Sequence, residues 1–224
     1  MRQTFFITGT DTGVGKTVLT VLFTRFLRAR GVSAVALKPV GSGGRDDARA
    51  LHAAMNGALT LDEINPWHFR APIAPLLAAR RERRQVRLAD VLAHVRAMQK
   101  RFAVVLVEGA GGLLSPLGLD FTSRDLMTAL RATPVVIGPN RTGVVSQVLL
   151  TLGALPHVMA AGARVVLMSP QRPDASTKTN AGLLAELSVT EEIFELPWLG
   201  GRLAMEKGLA DSRVRRVLRR LTKI

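Results

Sequence analysis

A nine-residue glycine-rich stretch, GTDTGVGKT at residues 9–17, limits what this chain can fold into more than any other feature. It lies between a short apolar strand, Thr4 to Thr8, and an apolar-periodic helical run from Lys16 to about Arg30. At such a junction, backbone N–H groups and a helix N-terminus favour a bound phosphate. Thr10 occupies the place of the usual leading glycine, but the stretch keeps the motif's other key residues, which are Gly13, Gly15, Lys16 and Thr17. The sequence therefore predicts a phosphate-binding loop.

The rest of the chain alternates between short apolar runs and helical stretches. Strands are expected at Val32 to Val40, Phe102 to Gly112, Pro134 to Gly138 and Ala163 to Ser169, with helices from about Asp47, from Leu88 to Lys100, from about Thr122 and from Val144 to Ala161. The strands are continuously apolar, as parallel strands buried on both faces are. We therefore predict an α/β fold with a doubly wound, mainly parallel sheet flanked by helices, of the P-loop NTPase type. One domain is expected over residues 1–224, with residues 56–88 as a decoration.

The composition places the chain in the ordinary globular class. Of its 224 residues, 47% are hydrophobic and none is cysteine, which excludes a disulfide framework, a thiolate metal site and a cysteine nucleophile. The N-terminal apolar run is too short for a signal peptide, and no stretch approaches the roughly eighteen apolar residues of a membrane-spanning helix. We expect a soluble, cytoplasmic protein that does not interact with a membrane.

The net charge of +14 has two interpretations. The segments RRERRQVR and SRVRRVLRRLTKI could form a surface for nucleic acid or an anionic membrane. Alternatively, the arginines solvate helix faces, and the positive field steers small anionic substrates. No aromatic residues are interleaved with the charge, since Trp67 and Trp198 are the only tryptophans. A base-stacking platform is therefore not expected, and the second interpretation is favoured.

Polar residues collect where the predicted strands end, which is the ligand-binding edge of such a sheet. The segment KPVGSGGRDDA supplies Lys38, Ser42 and Asp47 after the second strand. Glu108 is the last residue of a buried apolar run and the first residue of EGAGG. A carboxylate at this position is costly unless it is paired or binds a cation. Magnesium is the natural cation, with Asp47 as a second carboxylate. The four histidines (His52, His68, His94 and His157) show no ligand spacing and are expected to be surface or core residues.

Together these segments resemble the dethiobiotin synthetase family. The shared pattern consists of GTDTGVGKT, KPVGSG after the second strand, an aspartate that opens the next helix, VEGAGG followed by SPL, and PWL near the end. It covers about Thr4 to Leu199, and the joint order and spacing are more specific than any one motif. In that family, ATP drives closure of a cyclic urea during biotin biosynthesis. Carbon dioxide adds to an amine of diaminopelargonic acid, the carbamate is phosphorylated, and the second amine displaces phosphate.

The resemblance assigns expected roles to individual residues. The catalytic residues are Lys38, Lys16 and Thr12, and the metal ligands for Mg2+ are Thr17, Asp47 and Glu108. The residues implied for ATP are Gly13, Val14, Gly15, Lys16, Thr17, Val18, Asp47, Glu108, Gly109, Ala110, Gly111, Ser169, Pro170, Pro197, Trp198 and Leu199. The residues implied for the substrate are Ser42, Gly112, Gly143, Val144, Val145 and Ser146. A homodimer, with the substrate held near its interface, is also implied; no nucleic-acid partner is expected.

The chain departs from the family pattern at three places. Gly13 stands where some members have glutamate, Ser169 stands where members usually have an adenine-reading asparagine, and GGRL follows PWL where an acidic residue near the ribose is expected. These departures bear on nucleotide preference and leave the residues of the chemistry in place.

Three other functions are open at this level. A partition or targeting ATPase would act as a nucleotide-dependent switch, but its signature lysine is replaced here by Asp11. An amidoligase acting on a cobalamin precursor would need a glutaminase half with its cysteine, and the chain has no cysteine. A pure nucleotide-binding protein would not need Lys38, Asp47 and Glu108 together. Asp11 itself is expected to accept hydrogen bonds from the backbone amides of its own loop.

Overall fold

The computed structural model describes residues 2–200, 205 and 208–222. In chain order its elements are β1 (Gln3–Gly9), α1 (Lys16–Ala29), β2 (Ala34–Leu37), β3 (Val40–Ser42), α2 (Asp46–Ala54), α3 (Leu61–Ile64), β4 (Trp67–Phe69), α4 (Pro75–Arg81), α5 (Leu88–Arg101), β5 (Val104–Glu108), α6 (Ser123–Ala129), β6 (Thr133–Pro139), α7 (Val144–Gly153), α8 (His157–Ala161), β7 (Arg164–Met168), α9 (Asn180–Leu187), β8 (Ile193–Leu196), a 3₁₀ turn (Gly208–Ala210) and α10 (Ser212–Thr222).

Six strands form one parallel sheet in the order β2-β5-β1-β6-β7-β8. β1 lies in the middle, with Phe6 aligned to Val107 of β5 and to Pro134 of β6. Every residue of β2 and β5 is buried, which explains why these strands are apolar along their whole length. The predicted doubly wound α/β fold is confirmed, and the carboxyl ends of all six strands meet at one edge.

Helix α1 packs on the sheet and presents its first turn to that edge. Its apolar residues Leu19, Leu22 and Phe23 are fully buried, and the Phe23 ring lies 5.1 Å from the ring of Phe5 in β1. Because α1 follows β1 after only six residues, the glycine-rich loop is fixed at the centre of the carboxyl edge.

The strand predicted at Val32 to Val40 was wrong in its extent. β2 ends at Leu37, and the chain then crosses to a separate two-stranded parallel sheet, in which Val40 of β3 pairs with Trp67 of β4. Pro39 has no N–H to continue the ladder, and it restricts the residue before it. Lys38 therefore leaves the main sheet, and its N–H donates to the carbonyl of Ile64.

Two further predictions need correction. The helix expected from Val144 to Ala161 is divided into α7 and α8, because Pro156 cannot donate the helical hydrogen bond. The segment at residues 56–88 contains α3, β4 and α4 and contributes the second sheet, so it is an ordered part of the fold. β8 and α9 were not predicted.

Candidate active site

The glycine-rich loop adopts a backbone conformation that only glycine enters readily. Gly13 has φ of 69° and Gly15 has φ of 101°, both in the left-handed region. Gly15 caps α1 without any side-chain hydrogen bond, so the first turn of α1 keeps N–H groups that have no intrahelical partner. Asp11 caps the loop, since its Oδ1 accepts from the Thr12 N–H at 2.6 Å. The arrangement suits an anion at the helix N-terminus.

Lys16 extends back over the loop from the first position of α1. Its Nζ donates to the carbonyl oxygen of Asp11 at 2.7 Å, and the side chain is almost completely buried. Burial lowers the pKa of Lys16, and the nearby charge of Lys38 adds to that effect, while Glu108 opposes it. The Lys16 ammonium is thus held where a negatively charged ligand would relieve its desolvation.

A second lysine connects two carboxylates beside the loop. Lys38 Nζ forms ion pairs with Asp47 Oδ2 and with Glu108 Oε1, the latter at 3.1 Å. The Thr17 hydroxyl donates to the same Glu108 oxygen at 2.8 Å. These four side chains come from α1, the end of β2, α2 and the end of β5, so the sheet edge brings together residues that are far apart in sequence.

The ion pairs determine the charge states of this cluster. Burial alone would lower the pKa of Lys38, but the charges of Glu108 and Asp47 outweigh burial and raise it. Burial would likewise raise the pKa of Asp47, and the charge and hydrogen bond of Lys38 lower it. Lys38 is therefore a cation and Asp47 an anion at neutral pH.

The cluster fits a divalent cation. Glu108 is buried, and its second oxygen, Oε2, has no hydrogen-bond partner among the described residues. Such an atom is costly unless a cation or proton donor reaches it. Together with the Thr17 hydroxyl and Asp47, it forms an all-oxygen set of the kind that Mg2+ prefers. The described residues contain no group of three acidic, histidine or cysteine side chains placed to hold a metal, so phosphate and water oxygens would complete the coordination.

A cavity of about 640 Å³ opens over the loop and the cluster. The predicted site residues that line it are Thr12, Gly13, Gly15, Lys16, Thr17, Val18, Lys38, Ser42, Asp47, Glu108, Ala110 and Gly111. Sequence reasoning missed the lining residues Pro72, Ile73, Ala74, Pro75 and Ser115. Residues 72–75 are held by Ser42, whose hydroxyl donates to the carbonyl of Ile73 at 2.5 Å. The only sequence signal for these residues was the stretch APIAP at residues 71–75, which has two prolines close together.

Three of the predicted glycine-region residues support the cavity without lining it. Val14 is buried, and a Cβ on Gly9 would stand 2.6 Å from its side chain. A Cβ on Gly109 would meet the ring of Phe6 at 3.1 Å, and one on Gly112 would lie 3.5 Å from the carbonyl of Gly9. Tight packing against side chains explains Gly109, whereas the approach of Gly112 to Gly9 is an ordinary van der Waals contact.

The predicted base-binding residues lie at the neighbouring strand ends. The Ser169 N–H donates to the carbonyl of Leu196 at 2.9 Å, which places Ser169 and Pro170 beside Pro197, Trp198 and Leu199. Met168, just before them, approaches the phosphate loop, since a Cβ on Gly15 would stand 3.0 Å from its Cε. These residues do not line the cavity, but they flank the loop on the β7 side.

The predicted substrate residues Gly143, Val144, Val145 and Ser146 also lie outside the cavity. Gly143 has φ of 91° and caps α7 without a side-chain hydrogen bond. Ser146 is exposed, Val145 is half-buried and Val144 is buried against the sheet. Their helix N-terminus thus stands at the same carboxyl edge, following β6.

The fold and the loop together define a P-loop nucleotide-binding protein of the doubly wound α/β class. The AAA domain family matches residues 3–207. Among solved structures, the chain is similar to a ParA family ATPase from Chlorobium tepidum TLS, with a TM-score of 0.58, 9% identity and 97% coverage of both chains. It is also similar to the MinC:MinD cell division protein complex of Aquifex aeolicus, with a TM-score of 0.63, 13% identity and coverage of 99% of this chain and 96% of the other. At such low identity, these two show the fold alone.

Curated relatives are much closer in sequence. The ATP-dependent dethiobiotin synthetase BioD of Anaeromyxobacter dehalogenans strain 2CP-C is 42% identical over 86% of this chain and 89% of the relative. The enzyme of the same name from Bacillus velezensis is 30% identical over 88% of this chain and 85% of the relative. The chain belongs to the ATP-dependent dethiobiotin synthetase family. None of its described helices combines the length and apolar character required to cross a membrane.

Proposed function

We propose that the protein uses ATP to convert diaminopelargonic acid and CO2 into dethiobiotin. The observation that carries this proposal is Lys38, which lies between Asp47 and Glu108 at the mouth of the phosphate loop. A nucleotide-binding protein that performs no chemistry has no need of a second, mostly buried lysine beside the first. Family membership at 42% identity identifies the reaction that this arrangement suits.

ATP would supply the phosphoryl group that turns a carbamate oxygen into a leaving group, and Mg2+ would neutralise phosphate charge. The residues of the chain bind and orient. The N–H groups from Gly13 to Val18 hold the triphosphate, with Lys16 reaching its outer phosphates. Thr17, Asp47 and Glu108 would hold the metal. Lys38 stabilises negative charge on the carbamate and the transferred phosphoryl group.

The remaining predicted residues position the two ligands. Thr12 faces the reacting centre from the loop, and Ser42 contacts the diamine. Gly109, Ala110 and Gly111, with the strand-end residues Ser169, Pro170, Pro197, Trp198 and Leu199, accommodate the nucleoside. Gly112 allows close approach of the substrate to the backbone.

A homodimer completes the site in this proposal. The N-terminus of α7 does not line the cavity of its own subunit, so a second copy would present Gly143 to Ser146 to the substrate carboxylate. Leu150 of α7 is 72% exposed and apolar, which supports a partner on this helix. We place the reaction in the cytoplasm, where ATP is available.

The test is a pair of assays on the purified protein. Isotope-labelled bicarbonate should be incorporated into an acid-stable product only when ATP, magnesium and diaminopelargonic acid are all present, with one phosphate released per label. Phosphate release that does not depend on the diamine, with no label incorporated, would instead indicate a nucleotide switch of the partition ATPase kind. Failure of both signals would contradict the proposal.

A further inference from the structure

A second cavity, of about 490 Å³, lies at the opposite end of the sheet from the phosphate loop. We call it the amino-edge cavity, because it opens where β1 and β5 begin and where α5 and α6 end. β1 spans seven residues, so this cavity is on the order of 20 Å from the loop. It is therefore a separate place, and the function proposed above does not use it.

Among the residues that the structure describes, four cationic side chains and no acidic side chain line the amino-edge cavity. They are Arg2, Arg96, Lys100 and Arg131, all exposed to solvent. None of the four takes part in an ion pair among the described residues, although seven other arginines and lysines do. Four unpaired positive charges around one concavity focus a positive potential into it.

The usual role of cations at helix C-termini explains only part of this cluster. Lys100 lies in the last turn of α5, and Arg2 donates to the Lys100 carbonyl at 3.0 Å, so both can compensate the helix dipole. Arg96 lies five residues before the end of α5, outside the last turn, where that effect has decayed. The positive charge of Arg96 is repelled by the other three cations of the cavity, unless an anion binds between them.

Arg131 occupies a position that favours glycine. Its φ is 50°, and it follows α6 with its N–H donating to the carbonyl of Thr128, in the place where helices commonly end on a left-handed glycine. Arginine there is strained relative to glycine, and the strained residue carries its charge to the cavity rim.

The floor and walls add groups that suit a phosphorylated ligand. Gln99 donates to the Thr4 hydroxyl at 2.8 Å, which fixes an amide and a hydroxyl beside the cations. Phe102, Leu130 and Val105 supply an apolar surface next to them. A concave, cationic site with one apolar wall fits a small multiply charged anion better than an extended polymer, which needs a long convex or grooved track.

We propose that the amino-edge cavity binds a small polyphosphate anion, such as pyrophosphate or the phosphate end of a nucleotide. Arg96 and Arg131 are the main ligands, because Arg96 lies outside the last turn of its helix and Arg131 is held at the cavity rim in a backbone conformation that favours glycine. Binding weakens as salt concentration rises, since all four cations are exposed.

The experiment is calorimetric titration of the full-length chain with inorganic pyrophosphate. A Lys16→Ala background serves as the parent protein and Mg2+ is left out, because this substitution removes binding at the phosphate loop without a nucleotide that would itself compete for the amino-edge cavity. One remaining site is expected in the parent protein. The double variant Arg96→Gln/Arg131→Gly should weaken that site at least roughly tenfold, because two charge-assisted contacts are lost.

The chain offers a matched control in Arg83, which has φ of 53° after α4 and the same glycine-like position, but does not line the amino-edge cavity. The double variant Arg81→Gln/Arg83→Gly makes the same substitutions and the same charge change on exposed residues. It should bind pyrophosphate within about twofold of the parent. Both glycine variants should unfold at or above the parent temperature, because strain is relieved.

Three results would overturn the proposal. One is the absence of a second pyrophosphate site in the parent, and another is equal weakening by the two double variants, which would indicate the overall charge alone. The third is displacement of pyrophosphate by a short DNA duplex that binds more tightly than pyrophosphate when both concentrations are counted per phosphate group. That result would indicate a nucleic-acid surface.

Discussion

At the scale of single residues, Lys38 has two roles that one substitution would expose together. It neutralises Glu108, which is buried, and in the proposed reaction it stabilises charge that develops in the transition state. Lys38→Ala should lower turnover by roughly a hundredfold or more, the effect of removing one preorganised donor worth on the order of 3 kcal/mol. It should also lower the unfolding temperature, because Glu108 loses its partner.

The two effects are separable by measuring turnover and thermal unfolding on the same samples. The double variant Lys38→Met/Glu108→Gln removes both charges and should recover stability without recovering turnover. Activity of Lys38→Ala within threefold of the parent would contradict the assignment of Lys38 as a catalytic residue.

Lys16 illustrates a site that is built at a cost to stability. Burial lowers its pKa, which means that the ligand-free site disfavours its charge. Lys16→Met keeps most of the buried stem and removes the charge, so the nucleotide-free variant should unfold at a higher temperature than the parent. The rise in unfolding temperature on adding ATP and magnesium should disappear. Scanning fluorimetry with and without nucleotide checks both, and a stabilised variant that still responds to ATP would rule out Lys16 as a phosphate ligand.

Ser169 bears on which nucleotide is used. An asparagine side chain donates and accepts at once, and this paired readout distinguishes adenine, whereas one serine hydroxyl satisfies only half of the pattern. The loss of one such hydrogen bond is worth about 1 kcal/mol, so CTP or GTP should be accepted within roughly tenfold to a hundredfold of ATP in catalytic efficiency. Ser169→Asn should sharpen the preference for ATP. A parent preference above about a thousandfold would mean that another residue reads the base.

At the scale of elements, α10 is a strongly basic helix that also has a buried apolar face. The segment SRVRRVLRRLT was interpreted for its positive charge, but its apolar residues Val214, Val217, Leu218 and Leu221 recur at helical spacing and are buried. α10 packs against α1 and β8, with its arginines on the outer face. Its apolar side is therefore occupied by the core and is not available to a membrane.

α10 is expected to contribute to the stability of the whole fold. Leu218 is fully buried, so Leu218→Ala should lower the free energy of unfolding by about 2 to 5 kcal/mol. Arg216→Gln, on the exposed face of the same helix, should change it by no more than about 0.5 kcal/mol. Urea unfolding compares the two, and similar values would mean that α10 is not part of the cooperative unit.

Five of the six strands of the main sheet were predictable, because their continuous apolar runs indicate burial on both faces. β8, which carries the exposed Glu195, was not. The phosphate loop was predictable for a similar reason, since its glycines and lysine are contiguous. The roof of the cavity was not, because residues 72–75 are placed by a contact to Ser42, thirty residues earlier in the chain. The need of Glu108 for a cationic partner followed from its buried position, but the choice of Lys38 depends on how β2 leaves the sheet at Pro39.

At the scale of the whole molecule, the positive charge acts on ligands more than on the fold. A net charge of +14 attracts anionic substrates. Both cavities described above are lined by cationic side chains, some of them paired with carboxylates and some not. The cavity over the phosphate loop combines Lys16 and Lys38 with the carboxylates of Asp47 and Glu108, and so suits a metal-bound nucleotide. The charged side chains described around the amino-edge cavity are all cations, so this cavity suits a free anion.

The shared active site proposed for the homodimer can be tested by subunit complementation. Ser146 is exposed in the first turn of α7, and Ser146→Glu places a negative charge where the substrate carboxylate of the neighbouring subunit would bind. An acidic residue in a first turn favours the helix, so the variant should fold. On its own it should lose most turnover, as Lys38→Ala does.

In a mixed dimer, however, the Ser146→Glu subunit has an intact cavity that faces the intact α7 of the Lys38→Ala subunit. Equal mixing gives half mixed dimers with one working site in two, so activity should return to about a quarter of the parent value. Two inactive variants that stay inactive after mixing, or a parent that is monomeric by light scattering at full activity, would refute a site built from two subunits.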